Sequence, residues 1–199
     1  MTDPSLREIC KEWEEWAASA PKGEAGWQEF FPRWPLLLDS AQKTMMSGVR
    51  DKVTLNLLEK CWAISEESEE LAEFARDHIG ECIDVVAQLA DSELLDVRWQ
   101  AYSVLSSAGD TGDAILRRSL DDPDLYCRRR AYLAIAEMRP ADAFALAGRI
   151  INDEDPYMRL AAVELLRSCG DSKLIADAKA QLVVDRDPFV RRAAEDRLA

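Results

Sequence analysis

The chain has 199 residues, of which 48% are hydrophobic and 32% are charged, a balance typical of a folded globular protein rather than a disordered one. The apolar runs are too short to span a bilayer, so no membrane segment is expected. The formal net charge of −13 disfavours nucleic acid as a partner. Glycine is scarce and strong helix formers dominate, which predicts an all-α protein.

The N-terminal region, residues 1–48, has a helical but irregular pattern. Apolar side chains recur at helical spacing near its start, at Leu6, Ile9, Cys10, Trp13, Trp16 and Ala17. The aromatic stretch 27–34 follows and is interrupted by prolines. We expect this region to form an irregular helical cap on the open end of a stack of helices.

Residues 49–64 are predicted to form a helix, and 65–78 and 79–90 a pair of helices. Residues 51–100 contain 13 acids and only 4 bases, so most of the excess negative charge lies here. The centre of this acidic tract consists of Glu66, Glu67, Glu69, Glu70, Glu73, Asp77, Glu81 and Asp84. The tract is either a solvated helix face or a landing surface for a protein with a basic surface.

An internal repeat fills residues 91–199. An apolar residue followed by Arg, then Ala three residues later and Leu or Ile seven residues later, occurs four times. The arginines are Arg98, Arg128, Arg159 and Arg191, and they lie 30, 31 and 32 residues apart. A period of this size is typical of a solenoid built from helical hairpins.

Each repeat is predicted to contain two helices. The first begins near an Asp that is often followed by Pro, at Asp155-Pro156 and Asp187-Pro188 directly and at Asp122-Pro123 two residues further upstream. Asp124, Asp155 and Asp187 lie four residues before their arginines, whereas Leu94 occupies that place in the first repeat. Asp is a favoured N-cap because its carboxylate accepts bonds from unpaired backbone N–H groups. The arginines are predicted to bond within and between adjacent repeats, with phosphate binding as the alternative. The second helices are predicted over 113–120, 141–151 and 172–183.

The motif Asp187-Pro188-Phe189-Val190-Arg191-Arg192-Ala193-Ala194 resembles the opening of the short bacterial HEAT-like repeats of about thirty residues. The resemblance covers residues 91–199. It implies an α-solenoid of HEAT-like helical hairpins, with the array over 49–199 and the helical cap over 1–48. It implies little about function, because such repeats occur in binding scaffolds and also in some enzymes.

Trp99 interrupts the repeat pattern. Its equivalents are Arg129, Leu160 and Arg192, two of which are charged, so the position is expected to face outward. An exposed tryptophan beside the acidic tract would suit an interface hot spot. The alternative is that Trp99 packs under the preceding helices.

Residues and motifs that commonly act in catalysis, metal binding or phosphate binding are sparse. The single histidine, His78, disfavours most metal sites and Ser/His/Asp or Cys/His nucleophilic sites. No glycine-rich phosphate loop is present, and the five cysteines are widely spaced, which favours buried reduced thiols. We therefore expect no catalytic residue, metal ion or cofactor.

Two classes of function fit these observations. The first is a non-catalytic, cytoplasmic protein-binding scaffold or adaptor, in its sharper version an acidic immunity-type protein that neutralises a basic toxin. The second is an enzyme, because HEAT-like repeats also occur in DNA glycosylases and phycobilin lyases. The net charge disfavours a glycosylase, which needs a positive groove, while the lyase rests on the resemblance alone.

Overall fold

The structure is a computed structural model that describes residues 5–20, 27–49, 51–169 and 172–198. Within these residues the chain forms twelve α-helices and three short 3-10 helices, and no strand. The helices divide into two compact units, Met1–Ala108 and Gly109–Ala199.

The first unit is built around two central helices. Its members are α1 Leu6–Ala17, α2 Trp34–Ser47, α3 Lys52–Ile64, α4 Glu70–Asp77, α5 Ile79–Leu89 and α6 Leu95–Leu105. Helix α2 packs against α1, α3, α4 and α5, while α6 packs against α3, α4 and α5. The predicted N-terminal cap, which contains α1 and α2, therefore contributes to the core of this unit.

Local signals fix the start of the first unit. Helix α1 begins with a capping box, because Ser5 Oγ accepts a bond from Glu8 N and the Glu8 carboxylate accepts one from Ser5 N at 2.8 Å. The ring of Trp16 stacks on that of Trp27 with centroids 5.8 Å apart and meets the ring of Phe31 at 5.5 Å. These contacts hold α1 against the segment that leads into α2.

The second unit consists of three helix pairs. Its helices are α7 Gly109–Arg118, α8 Leu125–Met138, α9 Ala143–Ile150, α10 Pro156–Arg167, α11 Ser172–Leu182 and α12 Pro188–Arg197. Each of α8, α10 and α12, which carry the repeated arginine, packs against the helix before it. They also pack side by side, α8 on α10 and α10 on α12. The repeated alanines Ala131, Ala162 and Ala194 are fully buried, and their small side chains permit this close approach.

The helix boundaries depart from the predictions at three places. The helix predicted over 113–120 runs from Gly109 to Arg118. The helix predicted over 49–64 begins at Lys52, because the Asp51 carboxylate caps it by accepting a bond from Thr54 N at 2.9 Å. The helix predicted over 65–78 begins only at Glu70, since Glu69 adopts a left-handed φ of 52°. Along the chain, the first unit ends at Ala108 and the second begins at Gly109. The predicted boundary between residues 48 and 49 rests on the repeat pattern and stays a prediction.

Candidate protein-binding surface

Three turns of the second unit share one set of hydrogen bonds, which we call the repeat joint. Its members are a loop Asp, an N-cap Asp two residues later and an Arg four residues after the cap: Asp122/Asp124/Arg128, Asp153/Asp155/Arg159 and Asp185/Asp187/Arg191. The N-cap carboxylates accept bonds of 2.7 to 3.3 Å from backbone N–H groups of the first turn. The loop carboxylates accept bonds of 2.8 to 2.9 Å from the backbone N of the N-cap residue.

The joint arginines fold back onto their own turns. Arg128 Nη1 donates to the carbonyls of Asp122 and Pro123, at 2.7 and 3.1 Å. Arg159 Nη1 repeats this arrangement with the carbonyls of Asp153 and Glu154, and Arg191 Nη1 donates to the carbonyl of Asp185. In the first unit, Arg98 Nη1 likewise donates to the carbonyls of residues 92 and 93. These donors therefore close turns of the chain, which leaves them poorly placed to bind phosphate.

One joint also links two repeats. Arg159 donates from Nε and Nη2 to the two carboxylate oxygens of Asp185, each at 2.8 Å, and both side chains are buried. The hydrogen bond from Arg159 lowers the pKa of Asp185 below its ordinary value. A paired, bidentate geometry is what makes a buried ion pair tolerable in a protein interior.

Trp99 is buried, so the expectation of an outward position is wrong. Only 9% of its surface is exposed. The repeat alignment gave Arg129, Leu160 and Arg192 as the equivalents of Trp99. Those residues lie on α8, α10 and α12, which pack against one another as similar helices. Trp99 instead lies on α6, which packs against α3, α4 and α5, three helices that lack the repeat motif. Trp99 is therefore a core residue of the first unit and is not available as an exposed hot spot.

Two members of the acidic tract bond within the first unit. Glu70 accepts bonds from Trp34 Nε1 at 3.0 Å and from Ser68 Oγ at 3.1 Å. Partial burial raises the pKa of Glu66 to about 7, and a hydrogen bond with Asp96 and the charge of that carboxylate act in the same direction. Glu66 therefore titrates near neutral pH beside Asp96, and neither glutamate is a simple solvated charge.

The exposed carboxylates of the tract form what we call the acidic surface: Glu67, Glu73, Asp77, Glu81 and Asp84. Glu73 and Asp77 lie one turn apart on α4, and Glu81 and Asp84 lie one turn apart on α5. None of the five forms an ion pair within the described part of the chain. Their mutual repulsion is therefore not relieved by a direct ion pair.

The nearby bases are occupied elsewhere. Arg76 lies on α4 among these carboxylates but donates to Ser103 Oγ at 3.2 Å. Lys60 pairs with Glu14 at 2.6 Å, which raises the pKa of the lysine. Arg98 closes its own turn. The acidic surface thus keeps an excess of negative charge that can attract a cation from outside.

Other places in the first unit offer weaker sites. A groove of about 680 Å³ lies between α3 and the turn before α6, but acids and bases alternate along it, among them Lys52, Glu59 and Glu93. His78 joins α4 to α5, with its Nδ1 3.0 Å from the Phe74 carbonyl and its ring stacked on that of Phe74. Among the described residues, no group of His, Cys, Asp or Glu is arranged to hold a metal ion.

The cysteines of the described chain are all free thiols. Cys10, Cys61, Cys82 and Cys127 are buried, and Cys169 is half-buried.

Across the described residues, no helix is both long enough and apolar enough to cross a bilayer.

Residues 112–199 match a protein family described as HEAT repeats. These residues are therefore HEAT-like repeats. The matched residues correspond to the three helix pairs of the second unit, beginning within α7 and continuing beyond α12. HEAT repeats commonly mediate protein binding, so a protein-interaction scaffold is the general function that this family supports.

Solved structures with a similar fold include two engineered proteins. An engineered protein from the Northeast Structural Genomics Consortium matches with a TM-score of 0.57 and 16% identity, over 99% of this chain and 91% of that one. A designed armadillo repeat protein matches with a TM-score of 0.55 and 16% identity, over 98% of this chain and 94% of that one. No curated protein matches the sequence. The fold is therefore an all-α solenoid of HEAT-like helical hairpins.

Proposed function

We propose that this HEAT-like repeat protein is a non-catalytic binding scaffold whose acidic surface recruits a protein with a basic surface. The observation that carries the proposal is the set of five exposed carboxylates on and beside α4 and α5, none of which is paired with a cation of the described chain. Opposite charges on a partner would both steer its approach and supply the missing counter-charge.

The acidic surface is held at a cost to the first unit. Like charges one turn apart on a helix, such as Glu73 and Asp77, each destabilise it by roughly 0.2–0.5 kcal/mol. A repulsive cost of this kind, at a surface that makes no ion pair within the described chain, supports a functional explanation.

In its sharper form, the proposal is that the protein acts as an immunity-type protein. A small acidic scaffold would neutralise a basic toxin, such as a nuclease, by covering its positive substrate-binding surface. The net charge of −13 and its concentration in one unit support this version.

A capture experiment with a charge-matched control tests the proposal. The tagged protein is incubated with lysate of its native cell, and retained proteins are identified by mass spectrometry. One variant neutralises the acidic surface by the substitutions Glu67→Gln, Glu73→Gln, Asp77→Asn, Glu81→Gln and Asp84→Asn. The control variant neutralises five exposed carboxylates elsewhere by Glu29→Gln, Glu137→Gln, Asp177→Asn, Glu195→Gln and Asp196→Asn.

We expect the wild type and the control to retain one or more basic proteins that the acidic-surface variant loses. Equal retention by all three proteins would contradict the proposal, as would a set of retained proteins that are acidic. Because both variants change the net charge equally, a difference between them reports the place of the charges.

A further inference from the structure

Two cysteine side chains of the first unit lie in contact. The Sγ atoms of Cys10 on α1 and Cys61 on α3 are 3.6 Å apart, although 51 positions separate the two residues in the chain. Both are free thiols. The S–S bond of a disulfide is about 2.05 Å long, so the two sulfur atoms need to approach by only about 1.6 Å to bond.

An ion pair ties the same two helices together beside the thiols. Glu14, one turn after Cys10 on α1, accepts a bond of 2.6 Å from Lys60 Nζ, and Lys60 directly precedes Cys61 on α3. Helices α1 and α3 also pack against each other. The thiols are therefore held side by side, and small rotations about the Cα–Cβ bonds of the two cysteines supply the remaining approach.

The two thiols differ in access and in acidity. Cys10 is 5% exposed, whereas Cys61 is fully buried. The hydrogen bond from the Cys61 thiol lowers the pKa of Cys10 against the opposing effect of burial. That bond and complete burial raise the pKa of Cys61 well above its ordinary value. Since the thiolate is the reactive form of cysteine, Cys10 is the residue that meets an oxidant first.

We propose that Cys10 and Cys61 form a redox-active pair, which hydrogen peroxide or an organic hydroperoxide converts to a disulfide that joins α1 to α3. The pair includes no carboxylate of the acidic surface, so this inference goes beyond the proposed function. It gives the first unit a reduced and an oxidised form, which differ by one covalent link between distant parts of the chain.

The oxidation takes place in two steps. The Cys10 thiolate attacks one oxygen of hydrogen peroxide, the O–O bond breaks, and the departing hydroxide takes up a proton and leaves as water. The sulfur of Cys61 then attacks the sulfenic acid of Cys10, the S–O bond breaks, and the oxygen leaves as a second water with the proton of the Cys61 thiol. Two thiols thus lose two electrons, one peroxide gains them, and the products are one disulfide and two waters.

Peptide mapping without reductant tests the pair. The folded protein is treated with hydrogen peroxide, the remaining thiols are alkylated, and the chain is cut with trypsin, which releases Cys10 in peptide 8–11 and Cys61 in peptide 61–76. The variants are Cys10→Ala and Cys61→Ala, and the control Cys169→Ala removes a half-buried thiol of the second unit. Dimedone, which reacts with sulfenic acids, is included in a parallel sample.

We expect the wild type to lose two of its five thiols and to yield peptide 8–11 disulfide-bonded to peptide 61–76, a link that dithiothreitol removes. The control should give the same linked peptides. Cys61→Ala should instead carry a dimedone adduct on Cys10, because the thiol that displaces the oxygen has been removed. Cys10→Ala should leave Cys61 unmodified.

Two results would overturn the proposal. The first is a wild-type protein in which Cys10 and Cys61 both remain reduced at a peroxide concentration that oxidises free glutathione in a parallel sample. The second is oxidation of Cys10 without the linked peptides, which would mean that the helices do not hold Cys61 within its reach. Because both results come from the wild type, they stand even if a cysteine variant is unstable.

Discussion

The two units solve the same problem, closing a turn between helices, in different ways. The second unit repeats one solution, in which two Asp carboxylates and one Arg satisfy the backbone groups of the turn before α8, α10 and α12. The first unit uses a different device at each turn, including the capping box of Ser5 and the left-handed Glu69.

The turn before α6 lies between these two extremes. Ser92 Oγ accepts a bond from Leu94 N at 3.1 Å, and Arg98 donates back to the turn as the other joint arginines do. Leu94, however, is an exposed N-cap residue without a capping bond from its side chain. The geometry of the joint thus persists where Ser92 and Leu94 replace its two Asp residues, which shows that the backbone and the arginine define it.

The largest expected effect concerns the joint that links two repeats. Arg159→Ala leaves the carboxylate of Asp185 buried without its partner, and breaking a buried ion pair in this way costs about 3–5 kcal/mol. Chemical denaturation measures the loss. Arg192→Ala is the matched control, because its exposed pair with Asp196 is worth about 1 kcal/mol or less. A loss in Arg159→Ala no larger than in the control would contradict a structural role for the pair.

The pH dependence of the same variant checks the cause. Since the hydrogen bond from Arg159 lowers the pKa of Asp185, the pair contributes stability that is fully present above the ordinary carboxyl pKa of about 4. That contribution is lost as the pH falls through the lower pKa of the folded state. The difference in stability between wild type and Arg159→Ala should therefore shrink below about pH 4, and a difference that grows there would exclude this mechanism.

A smaller effect, with the opposite sign, tests the incomplete joint. The backbone of Leu94 has φ and ψ of −81° and 118°, close to the −82° and 127° of the capping residue Asp155. Leu94→Asp should therefore form the missing cap and raise the free energy of unfolding by about 1 kcal/mol, while Asp155→Ala should lower it by a similar amount. Thermal melts of the two variants compare them. A destabilised Leu94→Asp protein would mean that the leucine side chain packs usefully in the groove beside α3.

The sequence allowed the repeated part to be predicted because its constraints are local. The spacing of Arg98, Arg128, Arg159 and Arg191 identified the repeat. An Asp that precedes a helix is a favoured N-cap, so the helix starts were also readable. The shared role of the loop residues Asp122, Asp153 and Asp185 was missed although they recur with the same period. So were the exposed aromatic residues Tyr126, Tyr157 and Phe189, which occupy one position of the motif. Comparing every column of the repeat, polar and aromatic as well as apolar, would have found both.

The first unit was harder to predict because its constraints are distant in the chain. Trp99 was misplaced because its environment comes from α3, α4 and α5, which do not repeat. Glu66 looked like one carboxylate of an acidic run, but its raised pKa comes first from partial burial and then from Asp96, thirty residues later. The position of the acidic surface in the sequence was predictable, since charge is a property of composition. Which of its carboxylates are exposed and which bond within the unit could be learned only from the packing of the helices.

The salt dependence of association tests the role of the acidic surface most directly. The association rate of the protein with its captured basic partner is measured by stopped flow between about 0.01 M and about 1 M ionic strength, over which the Debye length falls from about 30 Å to about 3 Å. We predict that the rate for the wild type falls at least about ten-fold, and that the rate for the variant with the neutralised acidic surface is slower at low salt and nearly flat. A wild-type rate that does not change with salt, or an equally steep dependence in that variant, would contradict the account.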